Sequence, residues 1–124
     1  MSRVMARPLY HPETDKIELA SVLDALSDPL RLQIVARLAE AGECSCSSFL
    51  PYGQKTNLTY HLVRLREAGV TQTRTEGPYR IISLRKADLE RRFPGLLAAV
   101  LASIRRNPPP TPALGESALE AESA

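Results

Sequence analysis

The apolar period of this chain changes once between Lys55 and Leu84, and the change falls at Gly69. Before it, Leu58, Leu62 and Leu65 recur at helical spacing, which predicts a helix over roughly 55–68 with Thr56 or Asn57 as its cap. Gly69 ends that helix, and Lys55, Thr56, Asn57, Thr59, Tyr60, His61 and Arg64 supply its polar faces. After it, Val70–Thr75 and Tyr79–Leu84 are two short β-prone runs around Glu76-Gly77-Pro78, the pattern of a hairpin with a tight turn.

Upstream, Asp15 caps an expected helix over 16–26 whose stripe is Ile17, Leu19, Ala20, Leu23 and Leu26. Asp28 at the N-cap and Pro29 at the first helical position start a second, carrying Leu30, Ile34, Val35 and Leu38 and ending at Gly42. Residues 44–50 read as one short helix broken before Pro51, with Pro51-Tyr52-Gly53 as a turn. Downstream, Leu89, Phe93, Leu96, Leu97, Val100, Leu101 and Ile104 predict a helix from Lys86 to Arg106, which Pro94 kinks or restarts. Asn107-Pro108-Pro109-Pro110 stops it.

A short helix, a turn and a longer polar-faced helix followed by a hairpin is the pattern of a helix-turn-helix with a wing. The expected fold class is therefore mainly α with a small β-hairpin, a winged helix-turn-helix. Residues 15–106 form the expected DNA-binding and dimerisation domain. Residues 1–14, with Pro8 and Pro12, are an expected flexible segment, and residues 107–124, rich in Pro, Ala, Glu and Ser, an expected disordered tail.

Net charge is only +2, but it is unevenly placed. Residues 55–92 hold nine basic and four acidic side chains, whereas residues 1–54 hold five and seven. A basic middle suits a polyanion-binding surface, or on the plainer reading a solvated face. No long apolar run or basic-then-apolar leader is present, so no membrane span is expected and a cytoplasmic location follows.

Leu26-Ser27-Asp28-Pro29-Leu30-Arg31-Leu32-Gln33-Ile34 resembles the L-x-D-P-x-R-x-x-I opening of the ArsR-type winged helix-turn-helix repressors. Lys55–Val70 resembles their recognition-helix signature, S-x-H-H-L-x-x-L-x-x-A-G-L, with Tyr60-His61 where that pattern has two histidines. Arg74-Thr75-Glu76-Gly77 is similar to the start of their wing. The resemblance implies a homodimer on double-stranded, near-palindromic operator DNA, released by a chemical signal.

The candidate DNA contacts are Lys55, Thr56, Asn57, Thr59, Tyr60, His61 and Arg64 on the helix and Arg74 and Arg80 on the wing. Asn pairs bidentately with adenine and Arg with guanine, while Lys and hydroxyls hold phosphates. His61 has a second reading, packed beside the hairpin. Cys44 and Cys46 resemble the family's E-L-C-V-C-D-L metal and metalloid ligands if the cysteines are aligned. Aligned on Gly42-Glu43 and Phe49 instead, they fall on apolar positions and are core residues. The chain has no third cysteine, which favours core packing over a thiophilic metalloid or redox signal. The last helix has no histidine, so a zinc or nickel site there is not expected.

No Gly-rich phosphate loop, Ser-His-Asp set or His-Glu-x-x-His motif is present, and no enzyme is expected. The competing function is a winged-helix protein-interaction module with a basic face. The polar, short-chained outer face of residues 55–64 argues against it, because a protein-binding surface exposes larger apolar groups.

Overall fold

The computed structural model describes residues 9–110. The two terminal expectations fall partly outside this range, at 1–8 and 111–124. Within it the order is a 3-10 turn at Thr14–Lys16, α1 Leu19–Ala25, α2 Pro29–Ala41, β1 Glu43–Ser45, a 3-10 helix at Cys46–Tyr52, α3 Lys55–Ala68, β2 Thr71–Glu76, β3 Tyr79–Leu84, α4 Lys86–Arg92 and α5 Leu96–Arg106. This is a winged helix-turn-helix, helix-rich with a small antiparallel sheet.

Helix α2 begins as expected. The Asp28 carboxylate accepts from the backbone N–H groups of Leu30 (2.9 Å) and Arg31 (3.1 Å), satisfying two donors that the first turn leaves free. Helix α3 is capped differently, since Gln54 is its N-cap residue and no side chain bonds the first turn. Ile34, Val35 and Leu38 of α2 meet Leu58 and Leu65 of α3, Phe49 of the 3-10 helix and Ile82 of β3 in one core.

Two expectations about the elements are corrected, and a third is narrowed to one of its alternatives. The first helix starts at Leu19 rather than 16, because Ile17 leaves the 3-10 turn extended and is buried on its own. Leu19 and Leu23 lie exposed, outside the core stripe. The short helix over 44–50 is a strand followed by a 3-10 helix that runs through Pro51. That strand extends the hairpin to three strands in the order β1-β3-β2, with Glu43 opposite Ser83 and Ser45 opposite Ile81. The last helix restarts rather than kinks. Phe93-Pro94-Gly95 separates α4 from α5, with Gly95 at φ +82°.

Residues 9–17 are strapped to the body by arginines. Arg66 donates to the Tyr10 carbonyl (3.1 Å), Arg85 to that of Pro12 (2.8 Å) and Arg92 to that of Ile17 (3.0 Å). His11 accepts from the Thr73 amide at 3.0 Å. Asp88 takes hydrogen bonds from Arg85 and Thr14, which hold its carboxyl below the usual range. The flexible N-terminal segment expected over 1–14 is therefore docked from residue 9 on. At the other end, Gln33 of α2 donates to the Pro109 and Pro110 carbonyls at 3.3 and 3.0 Å.

The junction between α3 and the wing depends on Gly69. Its φ is +90°, and a Cβ there would lie 2.7 Å from Cγ1 and 2.9 Å from Cδ1 of the buried Ile17. Gly69→Ala combines a left-handed backbone with a clash. It is expected to lower stability by about 1–3 kcal/mol in urea denaturation. An unchanged midpoint would refute the close approach of Ile17.

Candidate nucleic-acid interface

Helix α3 buries Leu58, His61, Leu65 and Ala68, with Leu62 half-buried. The opposite face follows from the 3.6-residue period: Lys55, Thr56, Asn57, Thr59 and Tyr60 are all exposed. These five sequence-predicted residues stand together on the first turns of the helix, which is the part that enters a major groove in helix-turn-helix proteins.

His61 does not belong to that face. It is buried, and Arg31 Nη1 donates to its Nδ1 at 2.8 Å. Arginine has no acceptor, so Nδ1 carries the lone pair and the ring proton sits on Nε2. His61 thus faces Arg31 and Asp28 at the start of α2 rather than the hairpin, and its candidacy as a DNA contact is withdrawn. Arg31 is itself buried and bonds the Ala25 carbonyl (2.6 Å), tying the end of α1 to α2 and α3. Burial pushes the His61 pKa below its ordinary 6.5; Asp28, 3.9 Å away, opposes the shift and Arg31 adds to it.

His11 is lowered too, chiefly by burial. A depressed histidine stabilises the fold above its unfolded value, and the contribution is lost as pH falls from about 6.5 towards the folded value. The urea midpoint is thus expected to drop between pH 7.5 and 5.5, and less steeply in His61→Gln. An identical slope in both proteins would show that His61 carries none of it.

Arg64 is displaced from the expected position. Its guanidinium pairs with Asp24 of α1 and lies over the Tyr60 ring, 5.9 Å from the centroid. To reach a base edge it would have to leave that carboxylate.

The wing separates its two arginines. Glu76 pairs with Tyr79, Thr75 with Arg80 and Arg74 with Ile81, so alternation places Arg74 and Arg80 on opposite faces of the hairpin. Arg74 is held bidentately by Glu43 (2.9 and 3.0 Å) and also by Glu76 (2.8 Å), both of which neutralise it. Arg80 lies exposed on the face shared with Ile82, towards α3. The role of Glu43 and Glu76 was missed from the sequence. Glu76 was legible, two residues from Arg74 on the same strand face; Glu43 was not, because β1 was not expected.

Cys44 is buried in β1 opposite Ile82, within the core. Cys46 is half-buried at the start of the 3-10 helix, and burial pushes its thiol pKa up, with Arg80 and Arg66 pulling part of the way back. Cys44 belongs to the core cluster and Cys46 packs half-buried against it. Among the described residues, no group of three or more His, Cys, Asp or Glu could hold a metal ion. No described helix is long and apolar enough to cross a membrane.

The chain is 38% identical over 84 residues to an uncharacterized HTH-type transcriptional regulator, YceK, of Bacillus subtilis (strain 168), covering 63% of this chain and 81% of that one. The chain belongs to the HTH-type transcriptional regulators. The resemblance to the ArsR-type proteins holds in this regulator's fold. A crystal structure of an ArsR family transcriptional regulator superposes with a TM-score of 0.53 at 19% identity, covering 78% of this chain and 94% of that one. No family model matches the sequence. In this HTH-type regulator Lys55, Thr56, Asn57, Thr59 and Tyr60 lie exposed on the second helix of the helix-turn-helix.

Proposed function

We propose that this regulator is a homodimeric, sequence-specific repressor of transcription in the cytoplasm, released from a near-palindromic operator by a chemical signal. One observation carries the reading: the exposed turns of α3 present Lys55, Thr56, Asn57, Thr59 and Tyr60 together, beside a wing that carries Arg80. Asn57 and Thr59 suit base edges, and Lys55, Thr56 and Arg80 suit phosphates. Tyr60 is the one large apolar side chain exposed on those turns, among the polar Lys55, Thr56, Asn57 and Thr59, which disfavours the protein-interaction module.

Dimerisation is supported by apolar surface the monomer leaves uncovered. Leu89, Leu97 and Ile104 pack within the chain. Leu19 and Leu23 on α1 remain exposed, with Val100 and Leu101 half-covered on α5. Burial of such groups between copies is the usual solution.

Selection of bound duplex from a random pool tests the reading, followed by Asn57→Ala on the selected site. The expected loss is about 1–3 kcal/mol, confined to the preferred sequence, with preference relaxed at one position. Failure to enrich any sequence would refute specific recognition.

A further inference from the structure

We infer that the groove between α3 and the wing is a binding site for a free organic carboxylate with an apolar body. The groove encloses about 560 Å³, within the roughly 300–1,000 Å³ of small-molecule sites. Its floor and walls are apolar, built from Leu58, Leu62, Val63 and Ile82 with Leu50 and Tyr79 at the edges. Leu50 is 47% and Tyr79 59% exposed, so this surface is uncovered. Three cations border it, Lys55 and Arg66 from α3 and Arg80 from β3, and no acidic residue lines it. Arg66 uses one donor on the Tyr10 carbonyl and keeps others. Cys46 lines the same groove as Arg66 and Arg80.

Charge and polarity together select the occupant. A phosphodiester backbone makes use of the cations but not of a floor of leucine, valine and isoleucine. A second copy docking isologously would set three cations against three. Residues 1–8 carry Arg3 and Arg7 and no acid, whereas residues 111–124 carry Glu116, Glu120 and Glu122. An apolar body under a single carboxylate satisfies both parts of the site. The ligand class and its place deepen the repressor reading and rest on it for one consequence: Lys55, Thr59 and Arg80 are shared with the DNA face, so the acid and DNA compete.

The test has two arms, and the first needs no DNA. Anilinonaphthalene sulfonate, itself an anion with an apolar body, fluoresces when bound on apolar surface and serves as the displaced probe. Decanoate below its micelle concentration is expected to displace the dye, and decanol to do so about tenfold less well, because only the acid pairs with the cations. The double variant Lys55→Glu, Arg80→Glu is expected to weaken decanoate about tenfold and leave decanol unchanged. Decanoate is also expected to slow maleimide labelling of Cys46. Replacing Glu116, Glu120 and Glu122 by glutamine is expected to leave decanoate affinity unchanged, and a tightening would make residues 111–124 the occupant instead. Equal displacement by acid and alcohol, no displacement, or dye excluded as protein concentration rises (a second copy covering the groove) would each overturn the assignment. In the second arm decanoate is expected to release a selected duplex. Retention of duplex by decanoate-loaded protein would overturn the competition. Absence of duplex binding without decanoate would overturn the repressor reading, while the first arm still decides the groove.

Discussion

Replacing Glu43 and Glu76 together by glutamine is expected to tighten DNA binding about tenfold at low salt, the opposite of what most changes on a binding face do. Arg74 stands on the wing as a candidate phosphate contact, yet two carboxylates already occupy its guanidinium. Any phosphate must displace them or remain repelled by them. Glutamine keeps an acceptor at each site, so the hairpin and the β1 edge retain their geometry while the two negative charges disappear. In a dimer, two guanidinium groups become available. The slope of log affinity against log salt is expected to steepen by about 1.8, which is 0.9 for each added phosphate contact. Arg74→Ala in the parent protein is then expected to cost little, and far more in the Glu43→Gln, Glu76→Gln background. Anisotropy of a labelled duplex, measured across a salt series in all four proteins, provides the comparison. Unchanged affinity in the double glutamine variant would place Arg74 away from DNA altogether.

The same residues show what the sequence makes legible. Helix α3 is recovered to the residue, because Leu58 and Leu65 at helical spacing and Gly69 at its end are local signals. The hairpin is recovered within a residue, since Gly77-Pro78 admits one register. That register already separates Arg74 from Arg80 by alternation, so their opposite faces were within reach of the sequence. What was not within reach depends on pairing across the chain. β1 is three residues long, too short for any period, and exists only because β3 offers an edge. His61, three residues after Leu58 and four before Leu65, falls on the buried stripe, so its inward direction was within reach of the period; Arg64 sits at the stripe's edge, where its partner decides its direction. Arg31 draws His61 inward and Asp24 draws Arg64 towards α1. The basic middle segment misled in a similar way. Arg66, Arg85 and Arg92 contributed to its positive balance, and all three donate to carbonyls of residues 10–17.

The core beneath the interface makes a second strong forecast. Phe49 is fully buried at the centre of the 3-10 helix. Its ring meets Tyr52 edge-on at 5.6 Å, and the Arg37 guanidinium lies over it at 5.9 Å. It packs in the same core as Leu38, Leu58 and Ile82, so it holds the first helix of the helix-turn-helix under the second. Phe49→Ala removes most of an aromatic side chain where neighbours on four elements cannot all collapse inward. The expected loss is about 3–5 kcal/mol. Against a total of roughly 5–15 kcal/mol for a domain, that is a large share. At a urea m-value of about 1–3 kcal/mol/M, the midpoint is expected to fall by roughly 1–5 M. The adjacent Leu50 provides the control, since it is 47% exposed and shares the same 3-10 helix. Leu50→Ala is expected to stay within about 0.5 kcal/mol of the parent, as exposed substitutions do. Equal losses at the two positions would mean that the helix is held by its backbone rather than by the Phe49 ring, and a loss under about 1 kcal/mol at Phe49 would remove it from the core.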